Sequence, residues 1–332
     1  MVCCHGRVTG RRTNLALLVL IVGAFASGVL MWTVGSGWTR WPTVVHGSVG
    51  VAVVAMAPWK SVVSRRGLRR RRLKAALPSL AVALAVAVAL VSGFVHRTGG
   101  RRAGPVLVMQ IHVGAALVAL PLSLWHVGSR RVRPRATDVD RRTVLRGALL
   151  AGTSTVVTLA VPHAGRSPTR SLERGSFQPA AMPVTQWLFD KVPVVDSEEW
   201  RLRVGDRLWL RDDLERLADD EILATLDCTG GWYANQRWRG VRLDRLFVAA
   251  DVRVGRSIEV RSVTCYTRRF PHDDARSLLL ATEVGGKPLS VGHGFPARLV
   301  APGRRGFWWV KWVSEIDVDD SPWWWQPPLP LA

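Results

Sequence analysis

Apolar residues form long runs in the first half of the chain, whereas the second half mixes short apolar and polar segments. Four runs of about 20 residues are followed by one shorter run, at residues 15–34, 44–63, 75–95, 106–127 and 147–161. A helix needs about 20 predominantly apolar residues to cross the hydrocarbon core of a bilayer. The pattern therefore predicts a membrane bundle of four transmembrane helices, or five if the last run also spans.

Arginines are concentrated between these apolar runs. The chain has 46 Lys and Arg residues against 25 Asp and Glu, a formal net charge of +21. Such an excess is typical of proteins that bind nucleic acid or an anionic membrane. Because the basic residues flank apolar runs, membrane lipid is the expected partner and nucleic acid is not. The basic clusters precede the first run, separate the second from the third and follow the fourth, which places the N-terminus in the cytoplasm.

The fifth run is introduced by Asp140-Arg-Arg-Thr-Val-Leu-Arg146. This segment is similar to a twin-arginine export signal, which predicts the twin-arginine export machinery as a partner. The alternative is a pair of ordinary juxtamembrane arginines. No small-x-small cleavage site follows Val161, so a retained fifth helix is favoured. The part of the chain that follows the fifth helix then lies on the outer side of the cell membrane.

The first two predicted helices resemble the next two at a period of 65 to 66 residues. The matching positions are Ser27-Gly28 with Ser92-Gly93, and His46 with His112. Because the second and fourth helices run in the same direction, the two histidines lie at similar depth near the outer face. An ionisable residue inside a membrane span is a candidate for function.

Two imidazoles that face each other inside a helical bundle ligate haem iron in b-type membrane cytochromes. We therefore predict one b haem on His46 and His112, with His96 and His126 as alternate ligands. A second haem is less favoured, because the residue that corresponds to His126 in the repeat is Lys60 and not a histidine. The alternative is that these histidines cap helix ends or bind lipid headgroups, and that the helices only anchor the protein.

The chain is predicted to contain four parts: a membrane domain at residues 1–136, the signal-like fifth helix at 137–162, a polar linker at 163–176 and a separate domain at 177–332. The last part alternates strand patterns with short helical ones, which predicts a mixed α+β fold. Helices are expected at residues 214–223, 241–247 and 273–282. About 150 residues are enough for one hydrophobic core.

Cys228 follows a predicted strand at residues 221–227 and precedes the breakers Gly230 and Gly231. It therefore lies at a strand-to-loop junction. A soft thiolate suits a transition metal. Two further segments carry distinctive sequence, Trp238-Arg-Gly-Val-Arg-Leu243 and Gly292-His-Gly-Phe-Pro-Ala-Arg298, the latter followed by a Trp-Val-Lys segment that ends at Lys311.

Taken together in this order, these segments resemble the molybdopterin-binding domain of the sulfite oxidase family, which includes the bacterial methionine-sulfoxide reductase catalytic subunit. The resemblance covers residues 177–318. It implies a molybdopterin cofactor with Cys228 as the molybdenum ligand. It also implies cofactor contacts at His293, Arg298, Trp309, Val310 and Lys311. It assigns no catalytic residue beyond the metal ligand.

Several residues near this predicted pocket keep two interpretations. Arg304 and Arg305 either add charge to the pocket or are solvated surface arginines. A disulfide between Cys228 and Cys265 is conceivable, but a buried strand position is favoured for Cys265. Residues 323–325 are three tryptophans that either rest in the membrane interface or pack over the domain.

The expected function is that of a membrane-anchored, molybdenum-dependent oxidoreductase. It acts on a small-molecule substrate on the outer side of the membrane, by sulfite-type oxidation or sulfoxide-type reduction. Electrons pass through the b haem to a quinone or a membrane redox partner. The alternatives are a non-catalytic membrane sensor or assembly module that retains the fold, and an enzyme whose helices are only an anchor.

Overall fold

The structure is a computed structural model that describes residues 10–33, 40–68, 73–99, 102–104, 106–129, 135, 138–161, 176–186 and 190–327. The chain divides into two compact units. The first contains residues up to Gly175 apart from 33–37, and the second contains residues 33–37 and Ser176 onwards. Almost all of the predicted linker at 163–176 lies outside the described residues.

Long helices make up most of the first unit: α1 (Gly10–Thr33), α2 (Arg40–Leu68), α3 (Leu73–Arg97), α4 (Val108–Gly128) and α5 (Arg141–Ala160). All five are long and apolar enough to span a membrane. Between α3 and α4, the short strands β1 (Arg102–Ala103) and β2 (Val106–Leu107) form a hairpin. The expectation of four or five helices of membrane length is confirmed.

Polar contacts at the helix ends show the relative directions of α1, α3 and α5. Arg11, near the start of α1, donates to Asp138, just before α5, at 2.6 Å. Arg97, at the end of α3, donates to the carbonyl of Val161, just after α5, at 3.0 Å. The helices α1 and α5 therefore begin on the same side, and α3 and α5 end on the same side.

The fifth helix begins at the paired arginines and not at the apolar run six residues later. Asp140 is its N-cap, because the carboxylate accepts a hydrogen bond from the Thr143 amide at 2.7 Å. A side chain that accepts from the first turn stabilises a helix by about 1 kcal/mol. Arg141 and Arg142 are consequently the first two residues of a helix.

Two sheets of five strands each form the second unit. One has the order β10-β9-β6-β5, with β11 also paired to β9, and the other has the order β4-β3-β12-β7-β8. The strands are β3 (Leu202–Val204), β4 (Arg207–Trp209), β5 (Asp220–Asp227), β6 (Tyr233–Arg242), β7 (Ser257–Ser262), β8 (Thr267–Pro271), β9 (Leu279–Val284), β10 (Lys287–Pro288), β11 (Arg298–Val300) and β12 (Val313–Asp319). Among these strands of the described residues, β3 and β12 form the only parallel pair.

Two α-helices, α6 (Arg211–Leu217) and α7 (Leu243–Ala250), and three short 3₁₀ helices complete the described part of the second unit. The 3₁₀ helices are His272–Arg276, Val291–His293 and Gly306–Trp308. The mixed α+β character expected for this part of the chain is confirmed.

The predicted boundaries of the short helices were wrong. Residues 214–223 divide between α6 and β5, and residues 273–282 divide between a 3₁₀ turn and β9. The strand β6 continues through Arg242, so α7 begins two residues later than expected. In β9 four consecutive residues are buried, and a short apolar run buried on both faces has the same pattern in a strand as in a helix.

The core of the second unit lies against β6 and β9. Trp238 of β6 is fully buried, as are Leu279 and Leu280 of β9. The pairing of β6 with β9 shifts register at Gly240, where an added Cβ would lie 2.0 Å from the carbonyl oxygen of Leu280. Glycine is therefore required at this bulge.

Candidate active site

Cys228 lies at the end of β5, as predicted, and a tight turn holds its backbone. Its amide donates to the carbonyl of Trp232 at 2.8 Å, and its carbonyl accepts from the Gly231 amide at 3.1 Å. The Gly230 amide is 3.4 Å from Sγ. On the other side the chain packs so closely that a Cβ at Gly306 would lie 3.0 Å from the Cys228 Cα. These contacts fix where the thiol points.

A cavity of about 360 Å³ opens at the thiol. Of the site residues predicted from the sequence, the lining includes Cys228, His293, Arg298, Trp309 and Lys311. Val310 does not line it: the side chain is 1% exposed, and the carbonyl accepts from the Leu299 amide at 2.8 Å. The remaining wall is rich in aromatic and hydroxyl side chains, including Thr229, Trp232, Thr264, Tyr266, Phe307 and Trp312.

Arg298 brings a buried positive charge to this cavity. Its side chain is 3% exposed, its Nη1 donates to the carbonyl of His293 at 3.1 Å, and its Nε has no hydrogen-bond partner among the described residues. The rings of Trp238 and Trp309 flank the guanidinium at 5.5 and 5.8 Å. Burial lowers its pKa to about 10. Asp190 also lines the cavity, but within the described part of the chain no carboxylate pairs with Arg298, so the guanidinium lacks an anionic partner.

Lys311 adds a second cation on the cavity wall. Its Nζ donates to the carbonyls of Gly292 at 2.9 Å and Thr185 at 3.1 Å. Burial, and secondly the charge of Arg298, lower the pKa of Lys311 to about 7. An anion bound beside these two residues would restore the lysine charge and satisfy the guanidinium.

The ring of His293 is fixed between two oxygens. Nδ1 is 2.8 Å from Ser290 Oγ, and Nε2 is 3.1 Å from the carbonyl of Met182. Burial, followed by the charges of Arg298 and Lys311, lowers the pKa of His293. The imidazole is therefore held neutral and oriented at the edge of the cavity.

The donor set fits a cofactor that joins a thiolate-bound metal to an anionic group. Burial raises the pKa of the Cys228 thiol, and the nearby charges of Lys311, Arg305 and Arg298 oppose this effect. Metal coordination favours the thiolate. The partnerless Nε of Arg298 is suited to a phosphate or a polar pterin edge.

Sequence reasoning left Arg305 between two interpretations, and the structure excludes a solvated one. Arg305 and Asp227 are 5% and 7% exposed, and Nη1 of the arginine lies 2.5 Å from Oδ1 of the aspartate. Nη2 approaches the carbonyl of Cys228 at 3.4 Å. Arg304, in contrast, is partly exposed and pairs with Asp274 at 2.7 Å. An acidic residue at the end of an apolar strand was the sequence signal for this buried partner.

Tyr266 forms part of the cavity wall and is supported from behind by Arg268. The tyrosine hydroxyl donates to the carbonyl of Phe307 at 2.6 Å and accepts from Arg268 Nε at 2.7 Å. Arg268 is 2% exposed and lies over the rings of Tyr266, Phe307 and Trp308. The sequence assigned no role to Tyr266 or Arg268, because it showed only that they are close in sequence to the predicted pocket.

Cys265 was expected to lie in a buried strand, and this prediction was wrong. It is exposed in the turn between β7 and β8, with a φ of 66°. The alternating pattern continued past Ser262, where the strand ends. Cys228 and Cys265 are both free thiols, so the conceivable disulfide is absent.

In the first unit, the structure brings His46 and His112 together. Their ring centroids are 5.8 Å apart and the ring planes are nearly perpendicular, at 86°. Nδ1 of His46 is 3.0 Å from the carbonyl of Ala24, and Nδ1 of His112 is 2.8 Å from the carbonyl of Ala89. The two alanines are 65 residues apart, so the contact follows the sequence repeat.

The glycines of the repeat lie against these same imidazoles. A Cβ at Gly28 would be 3.2 Å from His46 Cε1, and a Cβ at Gly93 would be 3.0 Å from His112 Cε1. His96 and His126 lie at the ends of α3 and α4. The described residues include no cluster of three or more His, Cys, Asp or Glu side chains placed to hold a metal ion.

Comparison with known proteins identifies the second unit. Residues 189–325 match the family described as "Oxidoreductase molybdopterin binding domain". The second unit is therefore similar to the molybdopterin-binding oxidoreductase domain of the sulfite oxidases. The domain is 30% identical to rat mitochondrial sulfite oxidase in an alignment 169 residues long, which covers 39% of this chain and 31% of that protein. Chicken sulfite oxidase is 30% identical in an alignment 176 residues long, which covers 41% of this chain and 38% of that protein.

Shorter or more distant similarities extend to other enzymes. Rice nitrate reductase [NADH] 1 is 44% identical over 55 residues, 17% of this chain and 6% of that protein. The solved sulfane dehydrogenase SoxCD from Paracoccus pantotrophus is 25% identical, with a TM-score of 0.37, over 39% of this chain and 40% of that one. The chain spans about a third of the length of the sulfite oxidases that it matches.

Proposed function

We propose that the chain is a membrane-anchored, molybdopterin-dependent oxidoreductase that acts on a small substrate on the outer side of the membrane. The observation that carries this proposal is the convergence on one cavity of the Cys228 thiol and the buried cations Arg298 and Lys311. With the cofactor bound, the metal would supply oxygen-atom exchange coupled to two electrons, which it would accept from a substrate such as sulfite or donate to a substrate such as a sulfoxide.

The chain's own residues have distinct parts in this proposal. Cys228 ligates the metal, and the turn around it fixes the direction of the thiol. Arg298 and Lys311 bind the anionic part of the pterin, and His293 presents a neutral imidazole to it. Trp309, which also lines the cavity, completes the cofactor contacts. The aromatic wall that includes Tyr266 leaves a small space for the substrate.

We further propose that a b haem between His46 and His112 exchanges electrons with a quinone or a membrane redox partner. In each imidazole a backbone carbonyl engages Nδ1. A donor at Nδ1 leaves Nε2 as the nitrogen for iron. Lys60, the repeat counterpart of His126, donates to Asn14 Oδ1 at 2.8 Å. The residue that would pair with His126 at a second haem is therefore a lysine in a hydrogen bond between helices, which favours one haem.

The orientation and the route of export are also part of the proposal. The basic clusters support a cytoplasmic N-terminus. Because α1 and α5 begin on the same side, α5 then ends on the outer side, where the second unit follows. The paired Arg141 and Arg142 at the start of α5 support export of a folded, cofactor-loaded domain by the twin-arginine machinery.

The test is metal analysis with an optical spectrum on the full chain, purified in detergent from a host that makes molybdopterin. We expect close to one molybdenum per chain and a reducible Soret band. Cys228→Ser should lose the molybdenum, whereas Cys265→Ser, at an exposed free thiol, should retain it. His46→Ala and His112→Ala should each alter the Soret band, whereas His126→Ala should not.

The outcomes separate the parts of the proposal. Molybdenum without a Soret band would show that the helices only anchor the enzyme. Absence of both signals would favour a non-catalytic membrane module. Molybdenum retained in Cys228→Ser would remove Cys228 from the metal site.

A further inference from the structure

Near its C-terminus the chain displays tryptophan side chains to solvent. Trp323, Trp324 and Trp325 are 37%, 62% and 72% exposed. We call residues 322–327 the tryptophan turn. The sequence left two accounts of it, packing over the domain and contact with the membrane interface. The exposure of Trp324 and Trp325 excludes packing over the domain for these two side chains.

The tryptophan turn is held in place by hydrogen bonds. The amide of Trp325 donates to the carbonyl of Pro322 at 2.9 Å. The side-chain amide of Gln326 accepts from the Arg269 amide at 3.0 Å and donates to the Arg269 carbonyl at 2.8 Å. It therefore pairs with β8 as a neighbouring strand would. The indoles project from a fixed turn.

A second anchor ties the turn to the interior. The carbonyl of Pro327 accepts from Nη1 of the buried Arg268 at 2.8 Å. The two exposed indoles contact each other, with ring centres 6.1 Å apart and planes at 73°. Other exposed apolar side chains of the second unit, such as Leu223 at 78% and Val248 at 83%, are aliphatic. Scattered aliphatic residues of this kind are normal on a surface.

We infer that Trp324 and Trp325 insert into the interfacial layer of a phospholipid bilayer. An indole has an apolar body and one N–H donor, and such side chains are enriched where lipid tails meet headgroups and water. The nearby Asp319 pairs with Arg269 at 2.5 Å, so the turn has no cationic excess from this pair. The contact should therefore depend on indole insertion and not on anionic lipid.

The chain itself supplies the bilayer. This step rests on the membrane anchoring in the proposed function. Residues 162–175 separate the end of α5 from the second unit. A chain of that length extends to at most about 50 Å. The second unit is therefore tethered to the end of α5, and tethering makes even a weak insertion effective.

The test uses the full chain in nanodiscs of phosphatidylcholine, with the photoreactive residue p-benzoylphenylalanine replacing Trp324. After irradiation, intact-mass analysis identifies what the residue has joined. We expect a phospholipid adduct several-fold more abundant than with the same residue replacing Leu223, which is more open to solvent than Trp324. Replacement of Trp325 should give the same result, so neither variant alone decides the outcome. Phosphatidylglycerol added to the discs should not change the yield.

Three outcomes would overturn the inference: adducts to a second copy of the chain, adducts only within the chain, and lipid adducts no more abundant than at Leu223. The experiment is independent of the cofactor, because the chain can be prepared from a host that makes no molybdopterin. Two results together would uphold the docking surface and refute the enzyme: lipid adducts at Trp324, and no molybdenum in protein from a host that makes molybdopterin. A chain that does not enter nanodiscs would refute both the anchor and the docking surface.

Discussion

Nη1 of Arg305 lies 2.5 Å from Oδ1 of Asp227, the residue immediately before the proposed molybdenum ligand. Ser176 Oγ donates to the same carboxylate oxygen at 2.9 Å. Both charged side chains are buried, and the arginine also approaches the carbonyl of Cys228. The ion pair thus joins the end of β5 to the turn that precedes Trp309.

Removal of one member of this pair should destabilise the second unit strongly. Asp227→Asn or Arg305→Gln leaves a buried charge without its partner, which typically costs about 3–5 kcal/mol. The double variant should cost less than the sum of the two single changes, because neither charge then remains. Chemical unfolding of the detergent-solubilised chain, followed by tryptophan fluorescence, measures each free energy.

The control is an exposed ion pair of the same chemistry. Arg237 pairs with Glu221 at 2.6 Å, and the side chains are 68% and 45% exposed. Arg237→Gln should change the free energy of unfolding by at most about 1 kcal/mol. An effect of Arg305→Gln as small as that of the control would show that the buried pair does not hold the Cys228 turn.

Arg298→Met should have opposite effects on stability and on cofactor content. In cofactor-free protein it removes a buried guanidinium that has no carboxylate partner among the described residues, so the free energy of unfolding should rise by about 1–4 kcal/mol. In a host that makes molybdopterin, the same variant should lose its molybdenum. Arg298→Lys retains the charge without the planar fork, so its metal content should be intermediate. Normal metal content in Arg298→Met would exclude Arg298 from the cofactor site.

Lys311 predicts a pH dependence of the cofactor-free protein. Its pKa in the folded domain is about 7, whereas an unfolded lysine has a pKa of about 10.4. Between these values the unfolded chain binds more protons, so the contribution of Lys311 makes the fold more stable as the pH rises from 7 towards 10. Below pH 7 the cost of the buried charge is fully present.

The measurement compares Lys311→Met with the unchanged chain from pH 6 to pH 9. The stabilisation by methionine should be largest near pH 6 and should decline above pH 7. Lys191→Met, at an exposed position on the cavity rim, is the matched control and should show no such trend. A difference between Lys311→Met and the unchanged chain that is constant with pH would contradict this prediction.

The glycines of the helical repeat provide a test of the histidine site. Gly93→Ala places a methyl group 3.0 Å from the His112 ring, which is closer than ordinary contact, so the imidazole must shift. We expect a lower haem content and an altered Soret band. Gly114→Ala, two residues after His112, meets nothing within 4 Å and should leave both unchanged. Equal spectra for the two variants would show that Gly93 is not part of the haem site.

The sequence predicted the parts of the structure that depend on local pattern. The membrane-length helices and the position of Cys228 at a strand end both follow from runs and breakers along the chain. The motif residues Arg298 and Lys311 line the same cavity as Cys228, as their place in the resemblance implied. Their roles towards a cofactor remain predictions.

Features that depend on distant partners were not predictable in this way. Arg305 is buried only because Asp227, 78 residues earlier, neutralises it. The strand β9 was mistaken for a helix because its burial on both faces comes from neighbouring strands. Cys265 lies in a turn with positive φ, which alternation of polar and apolar residues does not reveal.

The bulge at Gly240 has a consequence for how this kind of domain is recognised. The segment from Trp238 to Leu243 contributed to the resemblance, yet Gly240 is required by the carbonyl of Leu280, and Trp238 and Leu243 are fully buried. That segment is therefore a signature of the scaffold. A related chain that has lost its chemistry would still carry it, so we predict that the presence or loss of Cys228 distinguishes an enzyme from an inactive descendant.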